Sequence, residues 1–523
     1  MDEAIYFDFI QEFSFHFQNF FLRTPYKTNM FNKKYQGLFI GILVFFVVLL
    51  LPTPSGMSYE AKSVAAIVLM MSIWWVTESI PIYATALVPL ALYPLLLILP
   101  AKETVDNYSH NHIFMMMGGF FLGKAIESQN LHKRIALVII NIFGISRKRI
   151  LLSMMFATSF LSMWIANVTA VVMMFPIALS IITKEEEENS ENSSFGKAIM
   201  LGIAYSATIG GLATLIGTPT NLILVGVMEK LFPDAPPISF MGWLKIGLPV
   251  FIVFFPVFYF FLASYFKVSG NLSNNDTIIK DELKGLGKIK RGEKRVIYIC
   301  LFTIFAWVFR EDFVFDNFVI QGWNSLLGLD GFVDDSTVAM MAALLLFMIP
   351  ADKENRLLEW KSAAEIPWGV LIIVGGGYAI AAGFASTGLA DWLGQRLTFI
   401  VDLPFLLVLV SIITFIIIFT EFNSNTATAN IMLPILASVG VAAYINPLIL
   451  MIPATIAASI GFMMPAGTGP NSIVFGSNKL TVKDMMKCGI WLNLISVVLL
   501  TLILYTIVMP WLDLETSLPV WAQ

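Results

Sequence analysis

Thr420-Glu421-Phe422-Asn423-Ser424-Asn425-Thr426-Ala427-Thr428 sets seven polar residues among nine between two apolar runs, about 402–419 and 428–444. Hydroxyls and amides in apolar surroundings are costly unless partnered. Ser, Thr and Asn side chains also offer the backbone turns in place of continuous helix. The stretch therefore reads as a break in an apolar helical segment. A second break lies upstream at Ser162-Met163-Trp164-Ile165-Ala166-Asn167-Val168-Thr169, where Asn167 precedes Asn425 by 258 residues.

That shift recurs. Gly118-Gly119-Phe120 matches Gly376-Gly377-Tyr378, Ser128-Gln129-Asn130-Leu131 matches Ser386-Thr387-Gly388-Leu389, and Pro176 matches Pro434, all 258 apart. A second pair follows at a shift of 250, Gly217-Thr218-Pro219-Thr220-Asn221 against Gly467-Thr468-Gly469-Pro470-Asn471. A register held over several motifs argues for duplication, and matched interruptions in two halves point to a transporter binding site near the bilayer midplane.

The composition agrees. The 523-residue chain is 57% hydrophobic and 13% charged, a balance that excludes an ordinary soluble domain. Apolar runs suited to spanning helices occur at about 37–53, 61–80, 83–100, 134–145, 150–183, 197–230, 243–267, 295–309, 337–350, 402–419, 428–444, 447–464 and 486–510. Two glycine-crowded stretches, 113–131 and 367–389, read as re-entrant hairpins. The fold class is thus an all-α polytopic membrane protein of two inverted-topology repeats, each with a re-entrant hairpin and discontinuous helices.

Charge places the amino terminus inside, because Arg23, Lys27, Lys33 and Lys34 precede the first run. The Lys133-Arg134 and Arg147-Lys148-Arg149 clusters and the basic stretch 284–295 join that face. The tail after Pro510 has no Lys or Arg, so an outside carboxyl terminus is expected. No cleaved signal peptide is expected, and residues 6–21 fit an amphipathic surface helix as well as an ordinary loop. The acidic run 185–188 and the polar stretch 269–290 read as solvated loops. Net charge of −4 indicates no partner, no nucleic acid is expected, and Cys300 and Cys488 have no metal-ligand spacing.

Unwound backbone at the breaks exposes carbonyls suited to a desolvated cation, while the next half-helix turns its amide end toward an anion. Gly217 and Gly467 allow the required backbone, and Pro219 and Pro470 prevent helical closure. For one polar cluster alone, helix–helix hydrogen bonding is the better account. Two clusters in register, each followed by Gly-Thr-x-x-Asn, favour a binding site. These segments contain no Lys or Arg. An anionic guest then needs hydroxyls, amides and bound cations, which makes cation and anion binding interdependent.

Lys124 and Glu127 fit a local i,i+3 pair or a substrate contact. Glu78 fits a helix end or a proton relay, and Glu421 carries the same two readings. His110-x-His112 fits a polar loop or a two-ligand metal grip. The histidines supply no nucleophile–base pair, which argues against an intramembrane enzyme, and matched breaks argue against a channel.

At these residues the chain resembles the divalent-anion/sodium symporter family, whose repeats each carry Ser-Asn-Thr followed by a Gly/Ala-Thr-x-x-Asn break. Ser424-Asn425-Thr426 is an intact copy. Trp74-Trp75-x-Thr77-Glu78-x-Ile80-Pro81 and Ser459-x-x-Phe462-x-x-Pro465 also look like that family's signatures, and the similarity spans about 36–510. The resemblance implies a homodimeric elevator-type transporter with a sodium site in each repeat and no organic cofactor. The first site would use Ser162, Asn167, Gly217 and the Ala166 backbone, and the second Thr420, Asn423, Asn425 and Gly467. Substrate would touch Asn167, Val168, Thr218, Ser424, Asn425, Thr426 and Thr468.

It implies a terminal segment 1–35, scaffold helices 36–112, a transport unit 113–230, scaffold and linker 231–365, a second transport unit 366–485 and a terminal helix 486–523. Ala166-Asn167-Val168 departs from Ser-Asn-Thr by two hydroxyls. The expected activity is sodium-coupled uptake of a C4-dicarboxylate across the inner membrane. Sulfate or tricarboxylate symport and sodium-independent carboxylate exchange are the alternatives.

Overall fold

The computed structural model describes residues 28–144, 146–188, 194–270, 283–315, 318–396 and 404–523. The segment 6–21 and part of the stretch 269–290 lie outside them. In chain order the principal helices of the first half are α1 (Thr28–Leu50), α2 (Tyr59–Thr77), α3 (Val88–Leu95), α4 (Ala101–Asp106), α5 (Asn111–Ser128), α6 (Leu131–Phe143), α7 (Arg147–Ser162), α8 (Asn167–Glu188), α9 (Ser194–Ala213) and α10 (Pro219–Leu231). After α11 (Phe240–Tyr265) and α12 (Arg291–Val308), a two-stranded antiparallel ladder pairs β1 (Phe313–Phe315) with β2 (Phe318–Ile320). Helix resumes with α13 (Asp335–Met348), α14 (Trp368–Thr387), α15 (Leu389–Arg396), α16 (Phe405–Glu421), α17 (Asn425–Ala442), α18 (Pro447–Ser459), α19 (Gly469–Phe475) and α20 (Val482–Ile503). Among the described residues, six helical stretches are long and apolar enough to cross a bilayer. The chain is an integral membrane protein, and among the described residues its regular structure is helical apart from that short ladder.

Small residues let the helices approach. A Cβ on Gly41 would stand 2.4 Å from Trp74 Nε1, which fixes how closely α1 lies on α2. Buried Lys62 donates to the Leu49 and Leu51 carbonyls at 3.0 and 2.9 Å, so its charge serves the carbonyls that α1 leaves unpaired at its end. Glu78 caps α2 in the left-handed region at φ 46°, at the helix end.

The hairpin expectation is corrected. The stretches 113–131 and 367–389 are occupied by α5 and α14, each a continuous helix. Their glycines serve packing instead of unwinding. A Cβ would come to 2.7 Å from Ala339 at Gly118, 2.6 Å from Ile165 at Gly123 and 2.8 Å from Ala86 at Gly376. Each helix is followed by a left-handed residue, Asn130 or Gly388, that turns the chain into α6 or α15. Residues 134–143 of the run 134–145, expected to span, belong to α6, whose 13 residues extend about 20 Å against a hydrocarbon core of roughly 30 Å.

The chain doubles back at the polar break itself. Arg147, which opens α7, pairs with Glu185 near the end of α8, so the two helices run antiparallel and residues 163–166 form their tip. This also corrects the reading of 185–188 as a solvated loop. Those residues are the last turn of α8, with Glu185 buried on Arg147 and Glu186 paired to Lys479 at 2.5 Å. Charges are buried there because each has a partner. Arg134 binds Glu293 at 2.8 Å and Arg310 binds Asp335 at 2.7 Å in the same manner. Lys124 pairs locally with Glu127 at 3.1 Å and also with Glu365 at 2.9 Å.

Candidate functional site

Each half of the chain brings two interruptions together. In the first half they are the α7–α8 tip and the break between α9 and α10; in the second, the α16–α17 junction and the break between α18 and α19. Ser424 N-caps α17, its Oγ accepting the Ala427 N–H at 3.2 Å, and Thr468 Oγ1 accepts the Asn471 N–H at 3.2 Å. The asparagine of each Gly-Thr-x-x-Asn element braces its own break. Asn221 Nδ2 donates to the Gly211 and Thr214 carbonyls at 3.1 and 2.8 Å, and Asn471 Nδ2 donates to the Gly461 and Met464 carbonyls at 2.8 and 3.0 Å. All three positions correspond at the shift of 250 residues.

Within this bracing sit two clusters of oxygen. Asn167 Oδ1 accepts from Ser162 Oγ at 2.7 Å and lies 3.2 Å from the Gly217 carbonyl oxygen and 3.3 Å from that of Ala207. Asn425 Oδ1 accepts from Thr420 Oγ1 at 3.1 Å and lies 3.1 Å from the Ala458 carbonyl oxygen and 3.3 Å from that of Gly467. Each amide oxygen thus faces two further acceptors that offer no proton. Two arrangements satisfy such a set: the amide turns so that Nδ2 donates into it, or a cation occupies it. Sodium fits the donor set, because neutral carbonyl, amide and hydroxyl oxygens are hard ligands. Ser162 and Thr420 are fully buried, and Asn167 and Asn425 are partly exposed.

The two clusters belong to one assembly. α8 packs on α19, and a Cβ on Gly469 would stand 2.4 Å from Val168 Cγ2, so the first tip abuts the second half's break. Thr220 Oγ1 lies 2.9 Å from Ser459 Oγ, and Tyr205 Oη donates to the Phe462 carbonyl at 2.9 Å. Around this seam, Val168 is 45% exposed, Ser424 and Thr426 are half-buried, and Thr218 and Thr468 are buried.

Ser162, Asn167, Gly217, Thr420, Asn425 and Gly467 therefore stand in the two clusters as single groups of three. The Ala166 carbonyl instead accepts the Ala170 N–H at 3.0 Å, and Asn423 turns Oδ1 onto the Ser424 N–H at 2.9 Å, leaving its buried Nδ2 without a partner. The carbonyls of Ala207 and Ala458 are additions to the sequence reading. They stand 251 residues apart, outside both registers, and an alanine backbone leaves no mark in sequence. A further addition is the role of Glu421. Its carboxylate accepts the Met463 and Met464 N–H groups, both at 2.9 Å, and Asn493 Nδ2 at 2.6 Å.

A helical membrane protein whose two halves converge on matched polar breaks is built as a transporter. The family description "Sodium:sulfate symporter transmembrane region" matches residues 32–513. A sodium-dependent dicarboxylate transporter, SdcS, of Staphylococcus saprophyticus is 42% identical over 504 residues, covering 93% of this chain and 95% of that one. SdcS of Staphylococcus aureus strain MRSA252 is 40% identical over 511 residues, covering 96% of each. The chain belongs to the sodium:sulfate symporter family, and it is a transporter and not an enzyme. Among solved structures, Neisseria gonorrhoeae MtrF, described with antimetabolite efflux pumps, resembles it in fold at a TM-score of 0.55 and 12% identity, covering 80% of this chain and 85% of that one. The Alcanivorax borkumensis YdaH transporter follows at 0.50 and 12%, covering 78% and 88%.

Proposed function

We propose that this chain couples sodium entry to uptake of a small divalent anion, a C4-dicarboxylate. The observation that carries the reading is the pair of oxygen clusters, alike in donor set and with their side-chain and glycine members in register, at the seam between the halves. One sodium ion is assigned to each, held by Ser162, Asn167, Ala207 and Gly217 in the first and by Thr420, Asn425, Ala458 and Gly467 in the second. The anion lies against Asn167, Val168, Thr218, Ser424, Asn425, Thr426 and Thr468, and the unpartnered Nδ2 of Asn423 suits an anion better than a cation. With no Lys or Arg in these segments, the two sodium charges offset those of the anion. Desolvating it alone would cost several kcal/mol or more. The names of the most similar relatives support the dicarboxylate.

The wider reading has two inverted-topology repeats and an elevator movement of a transport unit, 113–230 with 366–485, against a scaffold, in a homodimer. The repeated registers support the duplication. The basic loops support a cytoplasmic amino terminus and an outside carboxyl terminus, in the inner membrane.

Labelled succinate uptake into proteoliposomes, with an inward sodium gradient and with potassium in its place, tests the reading. Sodium-driven accumulation is expected. Equal uptake in both ions would replace symport by exchange.

A further inference from the structure

The pair His110-x-His112 acquires a third partner in the fold. His110 caps α5, directly after the turn Asn107–Ser109 that follows α4, and His112 lies in the first turn of α5. Glu229 comes from the last turns of α10, more than a hundred residues away in sequence. His110 Nε2 stands 3.2 Å from Glu229 Oε2, and His112 Nε2 stands 2.9 Å from Glu229 Oε1. One ligand atom from each of the three lies within 4.8 Å of the others.

We propose that His110, His112 and Glu229 form a binding site for a divalent first-row transition metal, of which zinc is the best fit. Two imidazoles and one carboxylate, with a coordination position left for water, are a donor set that zinc, cobalt and iron(II) all accept. Ligand bonds of about 2.0–2.1 Å in a tetrahedron put neighbouring ligand atoms roughly 3.3 Å apart. Each imidazole nitrogen already lies close to that edge from one oxygen of Glu229, His110 from Oε2 and His112 from Oε1, so a rotation of the carboxylate brings its oxygen onto an ion shared by both rings. The rings are also held in place. His110 meets Tyr378 edge-on at 5.2 Å between centroids, and Tyr378 is itself fixed by donating to the Leu222 carbonyl at 2.8 Å. Asn111, between the two histidines, donates to Asp334 at 2.6 Å and ties this corner to the start of α13. The side chains are 17%, 12% and 32% exposed, enough for an ion to enter.

The placement gives the site a consequence, which rests on the elevator reading above. α5, which opens at the two histidines, packs on α13 of the scaffold segment 231–365, so the scaffold side of the 112/113 division extends through α5, whereas Glu229 falls on α10 of the transport unit. A metal held by all three latches the unit to the scaffold in the arrangement seen here. Zinc is therefore a brake on transport that acts away from the sodium clusters.

Titration of the purified full-length protein with Co²⁺ tests the site without reference to transport. One ion per chain is expected, with visible d–d absorption of a low-symmetry site that zinc displaces. His112→Ala and Glu229→Gln should each weaken binding by more than the roughly 10–100-fold typical of a lost outer-shell partner. Glu229→Gln keeps a hydrogen-bonding side chain at that position, so it reports on metal ligation even where His112→Ala loosens the corner. Absence of saturable binding, or binding unchanged in both variants, overturns the site. Succinate uptake with added zinc tests the latch: a several-fold slowing in the wild type and none in Glu229→Gln is expected. Zinc-insensitive uptake by a chain that binds Co²⁺ overturns the latch, and sodium-driven uptake without zinc reports separately on the symport reading.

Discussion

The two oxygen clusters share a donor set, yet they are held open by different means. In the first half the break between α9 and α10 is short, residues 214–218, and its own side chains brace it: Asn221 ties down the Gly211 and Thr214 carbonyls, and Thr214 Oγ1 donates to the Met163 carbonyl. In the second half the break is longer, residues 460–468, because α18 ends at Ser459 whereas α9 runs on to Ala213. Those extra unwound residues expose N–H groups that a helix would have paired. Glu421 takes two of them, and the corresponding residue of the first half, 258 positions earlier, is Met163. The lesson is that a duplicated binding element can keep its ligands while its support diverges: where backbone pairing is given up, a buried carboxylate replaces it.

The largest expected effect follows from that replacement. Glu421→Ala strips the acceptor from Met463 N–H, Met464 N–H and Asn493 Nδ2. At about 1–3 kcal/mol for each buried donor left unpaired, the second break loses several kcal/mol of support. Sodium-driven uptake should fall by more than about 100-fold, and sodium should no longer raise the melting temperature as it does for the wild type. Met163→Ala, its counterpart, should leave sodium-dependent stabilisation in place. Equal losses in both would show that the two supports do not differ.

Next in size is a pair of glycine substitutions at equivalent positions. A Cβ at Gly211 would stand 2.2 Å from Asn167 Oδ1, whereas one at Gly461 meets nothing closer than 3.6 Å. Gly211→Ala should therefore push Asn167 out of its cluster, at an overpacking cost of about 1–3 kcal/mol, and raise the sodium concentration for half-maximal uptake by about tenfold. Gly461→Ala should behave nearly as wild type. The reverse outcome would mean that the longer break is the tighter one.

Much of this was legible in sequence. The constant registers found Asn167, Asn425, Gly217 and Gly467 because duplicated motifs leave matched polar residues where lipid forbids them. The glycine-rich stretches misled for a physical reason: Gly118 and Gly376 look like helix breakers, but in a packed membrane bundle small residues mark close helix contact. The real reversal, at 163–166, carries no glycine at all. The acidic run 185–188 misled in a similar way, since the Arg147 that buries Glu185 lies 38 residues upstream. Backbone ligands such as the Ala207 and Ala458 carbonyls were invisible because any residue supplies them. His110 and His112 were visible in sequence, but Glu229 only joins them in the fold.

Smaller effects test whether the clusters themselves are equivalent. Ser162→Ala and Thr420→Val each delete one hydroxyl from a fully buried position. A lost ligand worth about 0.5–1.5 kcal/mol raises half-saturation by sodium roughly 2- to 10-fold, and by a similar factor in either half. A response confined to Thr420→Val, read from sodium titrations of succinate uptake, would make the first cluster a structural remnant.

The smallest effect concerns the two hydroxyls missing from the first tip. Val168 stands where the second half has Thr426, and its side chain is 45% exposed beside Gly469, away from the buried oxygen cluster that Asn167 faces. Val168→Thr therefore supplies a donor to the anion side of the seam without adding a ligand to the cation. One partly solvated hydrogen bond contributes about 0.5–1 kcal/mol, so KM for succinate should fall by roughly two- to fivefold while the sodium dependence stays put. A shift in sodium dependence with KM unchanged would place residue 168 on the cation side, and the two tips would then differ in ion binding instead of substrate fit.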